Sequence, residues 1–186
     1  MPHHETPTPA LTNAQLLVVD VQERLLPHIH NASQVIEQTS RMLRAARELS
    51  LPIIVSEQYV RGLGPTEPGL RESAGGATFV EKMTFSVWRD DAARDALGAA
   101  GRPIVIIAGI ETHVCVQQTA LDLVAAGYGA VLLADAVGSR RKLDHDIALV
   151  RMRAYGVDVT TTESMIYTLM ERAGTERFKR ILPIVK

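Results

Sequence analysis

Short apolar runs alternate with helical patterns from one end of the chain to the other. Leu16-Leu17-Val18-Val19, Ile53-Ile54-Val55, Ile104-Val105-Ile106-Ile107-Ala108 and Ala130-Val131-Leu132-Leu133-Ala134 are unbroken in polarity. A strand with one wet face alternates with period two, so continuous runs of this kind predict strands buried on both faces. The pattern places strands at 16–20, 52–56, 78–82, 103–108, 130–135 and 157–161. Helical spacing or stop signals place helices between them. One follows Asn31 as a cap and runs to Leu49. The next follows Asp90 or Asp91 and ends before Gly101. The third covers 114–126 and is closed by Gly127. The fourth runs from Ser139 to Tyr155 before Gly156, and the last covers 164–172. Strand–helix alternation of this kind predicts an α/β fold, a parallel sheet with helices on both faces and right-handed crossovers. In such a sheet the ligand crevice lies beyond the carboxyl ends of the strands.

Periodicity is lost only between Gln58 and Ala77. Gly62, Gly64, Pro65, Pro68, Gly69, Gly75 and Gly76 mark that stretch as a long loop, hence a lid, a binding loop or an interface. Residues 1–12, with Pro2, Pro7 and Pro9, read as a flexible tail, and His3 and His4 within it as tail rather than metal ligands. The tail lacks the basic and apolar regions of a signal peptide. Residues 13–186 are then one domain, with length enough for a sizeable core.

Composition narrows the function classes. Twenty Lys and Arg against 21 Asp and Glu leave a formal net charge of −1, which gives no electrostatic footprint for nucleic acid or an anionic membrane. No apolar run approaches the ~20 residues of a spanning helix. The single cysteine cannot form an internal disulfide, so a reducing, cytoplasmic setting is expected. No glycine-rich loop follows the first strand, and no Gly-Lys-Ser or Gly-Lys-Thr occurs, so no nucleotide cofactor is expected.

Chemistry gathers at strand ends. Asp20 closes the first strand, Lys82 the third, and Cys115 follows the fourth across the turn at Gly109. Helix N-terminal N–H groups and dipole would favour a thiolate at Cys115. In one crevice the three form a coherent set. Asp20 takes the thiol proton and later returns it, Lys82 supports the thiolate, and Cys115 attacks an electrophilic carbon. Backbone N–H groups of Glu111 and Cys115 would hold the oxyanion. Singly, each has a plainer reading: Cys115 as an apolar filler, Asp20 as a turn cap, Lys82 as a solvated charge. Their shared placement favours the catalytic one. A Cys115–His113 dyad is disfavoured, because residues two apart on a helix point in different directions. Asp135 reads as a cap to the turn 136–139, and His145 as a solvated or packed mid-helix residue. His28 and His30 have metal-like spacing with nothing converging on them, so no metal is expected.

Five segments then show a resemblance: Leu17-Val18-Val19-Asp20-Val21-Gln22, Glu81-Lys82-Met83-Thr84-Phe85-Ser86, Gly109-Ile110-Glu111-Thr112-His113-Val114-Cys115-Val116, Ala134-Asp135-Ala136-Val137-Gly138-Ser139-Arg140 and Thr161-Thr162-Glu163-Ser164. In this order they resemble the isochorismatase-like cysteine hydrolases, in the isochorismatase-domain-containing branch. The resemblance implies a Rossmann-like three-layer sandwich with six parallel strands, a triad at Asp20, Lys82 and Cys115, a cis peptide at Ile110–Glu111 and a homo-oligomer. The related nicotinamidases carry Asp-x-His metal ligands after the second strand, where this chain has Ser56-Glu57-Gln58-Tyr59. True isochorismatases lack the cysteine. The expected activity is therefore hydrolysis of a small molecule at an amide-like or carbamoyl carbon. Gln22, Gln58, Tyr59, Phe85, Trp88 and Ile110 are the expected substrate-binding residues. The competing expectation is an idle oligomeric binding module whose Cys115 is a redox-sensitive thiol.

Overall fold

A computed structural model describes residues 7–186. His3, His4 and the rest of the first six residues of the expected tail lie outside the described residues. The remainder of that tail is folded against the body. Asn13 accepts from Ala10 N (2.7 Å) and donates to Thr8 O (3.1 Å), and Leu11 packs on the core.

Six parallel strands form one sheet in the order β3-β2-β1-β4-β5-β6. They are β1 (Ala14–Val19), β2 (Ile53–Gln58), β3 (Thr78–Lys82), β4 (Ile104–Ile110), β5 (Gly129–Gly138) and β6 (Asp158–Thr160). The helices are α1 (Ala32–Glu48), α2 (Val60–Leu63), α3 (Pro68–Ser73), α4 (Asp91–Ala99), α5 (Gln117–Ala125), α6 (Lys142–Ala154), α7 (Thr162–Met170) and α8 (Glu176–Val185). The apolar runs do bury both faces. Along β1, Leu16 and Val18 enter one core cluster with residues of α1, α7 and α8; Leu17 and Val19 enter the other with residues of α4, α5 and α6. Ile104, Ile106 and Val105, Ile107 divide between the clusters in the same way. The architecture is the α/β Rossmann-like sandwich.

Four local readings are corrected. The 58–77 stretch is not a plain loop: α2 and α3 form there, and Thr66 bridges to Gln22. α8 lies beyond the expected last helix. Its Thr175 caps by accepting from Phe178 N (3.1 Å), and Ile181 and Val185 are buried. Asn31 precedes α1 without capping it, since its amide donates instead to Val137 O at 3.1 Å. Asp135 does not serve its own turn. It accepts from Thr162 N and Thr162 Oγ1, both 2.8 Å, and so ties down the start of α7.

Gly109 does not stop β4, which runs on to Ile110. It takes φ +125°, and any β-carbon there would strike the backbone of Val19 on β1. Glycine thus allows the two central strands to approach where strand order reverses. That reversal, between β1 and β4, is where an open parallel sheet splits to form its crevice.

Candidate active site

β1 ends at Val19, and Asp20 adopts a positive φ of 52°, a conformation short polar residues tolerate best. Its backbone N–H still bonds Ser56 O on β2 (3.0 Å), and its side chain turns into the crevice, fully buried. Ser56 Oγ donates to Asp20 Oδ1 at 2.7 Å. Lys82 Nζ donates to Asp20 Oδ2 at 2.7 Å, and neither side chain has any exposure. Lys82 has three further acceptors: Gln58 Oε1 (2.7 Å), Thr84 O and Phe85 O (3.1 Å each). A buried ammonium needs such a shell, because desolvation costs more than one ion pair returns. The sheet register enforces it by setting Gln58 beside Lys82.

Cys115 reaches this centre from the other side of the crevice. After the cis Ile110–Glu111 peptide the chain makes a π-helical turn, Thr112–Val116, before α5 begins. A continuous helix from 114 was expected; such π turns are frequent at functional sites. Thr119 Oγ1 donates to Cys115 O (2.7 Å) and accepts from Val87 N (2.9 Å), fixing the turn to the neighbouring segment. The thiol is buried and feels the charges of Asp20, Lys82 and Glu111.

The expected thiolate is the clearest correction at the site. Burial, reinforced by the Asp20 carboxylate, pushes the Cys115 thiol up to about 12, with Lys82 only partly opposing it. The resting group is a buried thiol that feels a neighbouring carboxylate. Desolvation outweighs the helix-end effect, which is worth ~0.3–1 kcal/mol at most sites.

The remaining expected residues divide. Gln58 stands at the centre, against Lys82. Gln22 is fully buried and its amide is occupied: Oε1 accepts from Gln58 N (2.8 Å), and Nε2 donates to Gln58 O (2.9 Å) and Gly64 O (2.6 Å). It positions Gln58 rather than facing a substrate. Ile110 is buried in a core cluster, and Trp88 packs edge-on against Tyr128 at 5.2 Å. Tyr59 and Phe85 are exposed. Glu111 is buried, with its carboxylate taken by Arg140 N and Nε at 3.0 Å. His113 Nδ1 pairs with Ser139 Oγ (3.0 Å). His145 Nδ1 pairs with Thr112 Oγ1 (2.9 Å), and burial holds it below the usual histidine range. Ser56 and Thr119 were missed. Ser56 could have been found as the polar residue that ends the apolar run of β2; Thr119 has no such sign. Hollows of about 250 Å³ beside Tyr128 and about 380 Å³ beside Arg177 touch none of the three central residues. Among the described residues no three His, Cys, Asp or Glu side chains cluster as a metal ion requires, and no helix is long and apolar enough to cross a membrane.

This arrangement can be set beside known proteins. The family model of the isochorismatase domain matches residues 14–164. The chain belongs to the isochorismatase family. It is 40% identical over 167 residues to isochorismatase domain-containing protein 1 of Salmo salar, covering 90% of this chain and 59% of that protein. It is 39% identical over 171 residues to isochorismatase domain-containing protein 2A of Mus musculus, covering 92% and 82%. The chain thus spans little more than half of the salmon relative. Among solved structures, the MAR1 ribonuclease of Caenorhabditis elegans superposes with a TM-score of 0.91 at 36% identity, covering 96% of this chain and 92% of that one. YcaC of Pseudomonas aeruginosa, solved with hexane-2,5-diol and covalent acrylamide, gives 0.89 at 26% identity and coverage of 95% and 91%. The isochorismatase family's hydrolase fold is therefore present throughout.

Proposed function

We propose that the protein is a cysteine hydrolase of a small molecule, cleaving an amide or carbamoyl C–N bond, with Asp20, Lys82 and Cys115 as its triad. The supporting observation is the fully buried Asp20–Lys82 pair (2.7 Å), with the buried Cys115 thiol on the π-helical turn feeling both charges. Asp20 accepts the Cys115 proton as the sulfur attacks the carbonyl carbon. The N–H groups of Glu111 and Cys115 carry the developing oxyanion. As the tetrahedral adduct collapses, Asp20 returns the proton to the departing nitrogen, leaving a thioester. Water, deprotonated by Asp20, then releases the acid and restores the thiol. Lys82 keeps its proton throughout and fixes the Asp20 carboxylate, while Ser56 and Gln58 hold both in place. Tyr59 and Phe85, exposed near Lys82, form the rim on the substrate side, and a homo-oligomer would add walls to that rim.

The covalent acrylamide in YcaC supports this reading, since acrylamide is both a primary amide and a thiol electrophile. The ribonuclease name of the nematode relative supports RNA less well here, because a net charge of −1 supplies no excess of phosphate-binding cations. The test is a panel of amides, carbamoyl compounds and ureido acids, with single-stranded RNA alongside, followed by mass spectrometry for an acyl adduct on Cys115. Turnover of one small amide, an adduct on Cys115 and loss of turnover in Cys115→Ala are expected. Wild-type turnover in Cys115→Ala would sink the covalent mechanism.

A further inference from the structure

A surface helix normally turns polar residues outward, yet α6 also turns large apolar ones to solvent. Leu143, Ile147 and Val150 are 70%, 60% and 68% exposed, and Ala154 is exposed beside them. Their spacing of four, three and four residues sets them in one straight stripe along the helix. Residues His145, Ala148 and Met152 form the opposite, buried face. An apolar stripe of large side chains left open to water marks a contact surface.

The charges beside the stripe identify its partner. Asp144 and Asp146 flank its first half, and Arg151 and Arg153 its second half. At 100° per residue, Asp144 and Arg151 lie along one edge, and Asp146 and Arg153 along the other. We propose that α6 is the contact between two copies of this chain, packed antiparallel about a twofold axis at the level of Ala148 and Leu149. Such an axis pairs residues whose numbers sum to about 297. Ile147 meets the second copy's Val150, and Leu143 meets the second copy's Ala154. Antiparallel helices bring like edges together, so Asp144 faces the second copy's Arg151, and Asp146 faces the second copy's Arg153. Each residue of the stripe and each of these four charges finds its complement in the same helix reversed, as a twofold interface requires. Among the described residues Asp144, Arg151 and Arg153 make no ion pair within the chain, while Asp146 holds Lys142 at 2.6 Å. Arg151 lies over the Tyr155 ring at 5.7 Å, which keeps its guanidinium beside the stripe.

The test reads molecular mass by sedimentation equilibrium at micromolar protein, independently of any hydrolase activity. The wild type is expected as a dimer or a multiple of one. Ile147→Asp should at least halve the mass while the circular dichroism and Tm hold, since the residue is exposed. Asp144→Arg and Arg151→Asp, each alone, set like charges against each other and should weaken association at least tenfold. An equimolar mixture of those two variants should reassociate, because opposite charges then meet at both ends of one edge. A monomeric wild type would overturn the proposal and leave the stripe to a different protein. A mass unmoved by Ile147→Asp, or a mixture no more associated than its components, would overturn it as well.

Discussion

Two acid–base pairs stand at the carboxyl edge of the sheet, Asp20–Lys82 and Glu57–Arg71. They share residue chemistry and nearly share distance, 2.7 Å and 2.9 Å. The surroundings make them different devices. Asp20 and Lys82 have no exposure; Ser56 donates to the carboxylate, and Gln58 and the carbonyls of Thr84 and Phe85 accept from the ammonium. Arg71 is half exposed, leaning 4.3 Å above the Phe79 ring. Glu57 Oε1 also accepts from Thr66 N and Oγ1 at 2.7 Å, so this pair pins the 58–77 stretch to the sheet. Burial turns the first pair into a rigid charge centre that can handle a proton. Partial solvation leaves the second as a clasp.

The largest expected effect lies at the buried pair. Lys82→Met leaves Asp20 as an uncompensated buried carboxylate, at a cost of ~3–5 kcal/mol. Urea denaturation should show it, with turnover lost and Cys115 labelling suppressed because the one charge favouring a thiolate has gone. If stability falls by under ~1 kcal/mol, the pair is no more than a clasp.

Asp20→Asn separates proton transfer from packing. It keeps the shape and removes the base, so turnover should fall ~10²–10⁴-fold. The same change removes a negative charge that holds the thiol proton, and Lys82 is left unopposed. Iodoacetamide labelling at pH 8 should therefore accelerate over the wild type, whose thiol near 12 is almost wholly protonated there. For this acid the folded value is raised from 9.0, so rising pH through that window also costs the wild type folding stability that Cys115→Ala should retain. Slower labelling in Asp20→Asn would break the link between the carboxylate and the thiol.

Arg71→Ala should have the smallest effect, ~0.2–1 kcal/mol for a half-exposed pair. Hydrogen exchange should quicken in α2 and α3, with turnover altered less than threefold. A loss comparable to Lys82→Met would erase the distinction between the two pairs.

Much of this was legible from the chain. Unbroken runs such as Ile104–Ala108 can sit only where both faces are covered, and their alternation with helices led directly to a parallel sheet. The catalytic candidates were legible for the same reason: a polar residue terminating such a run must lie at the sheet edge. Asp20 is of this kind, Lys82 ends the more mixed strand β3, and Cys115 follows β4 across its turn. The α6 stripe was hidden in plain view, because apolar spacing on a helix does not reveal which side faces the sheet. α8 was missed although Phe178, Ile181, Leu182 and Val185 keep helical spacing after Thr175, since Pro183 interrupts the signal.

What the linear sequence determined was the family and the succession of strands and helices along the chain, because these follow from local periodicity and short motifs. Protonation and partnership belonged to the tertiary structure. Whether Cys115 is thiol or thiolate depends on how much water the closed crevice excludes and how near the Asp20 carboxylate comes. That Ser56 and Gln58 complete the buried pair depends on the β1–β2–β3 register, and that Asp135 serves α7 depends on a contact 27 residues away. Burial and through-space charge are sums over neighbours brought together by the fold, so no local pattern carries them.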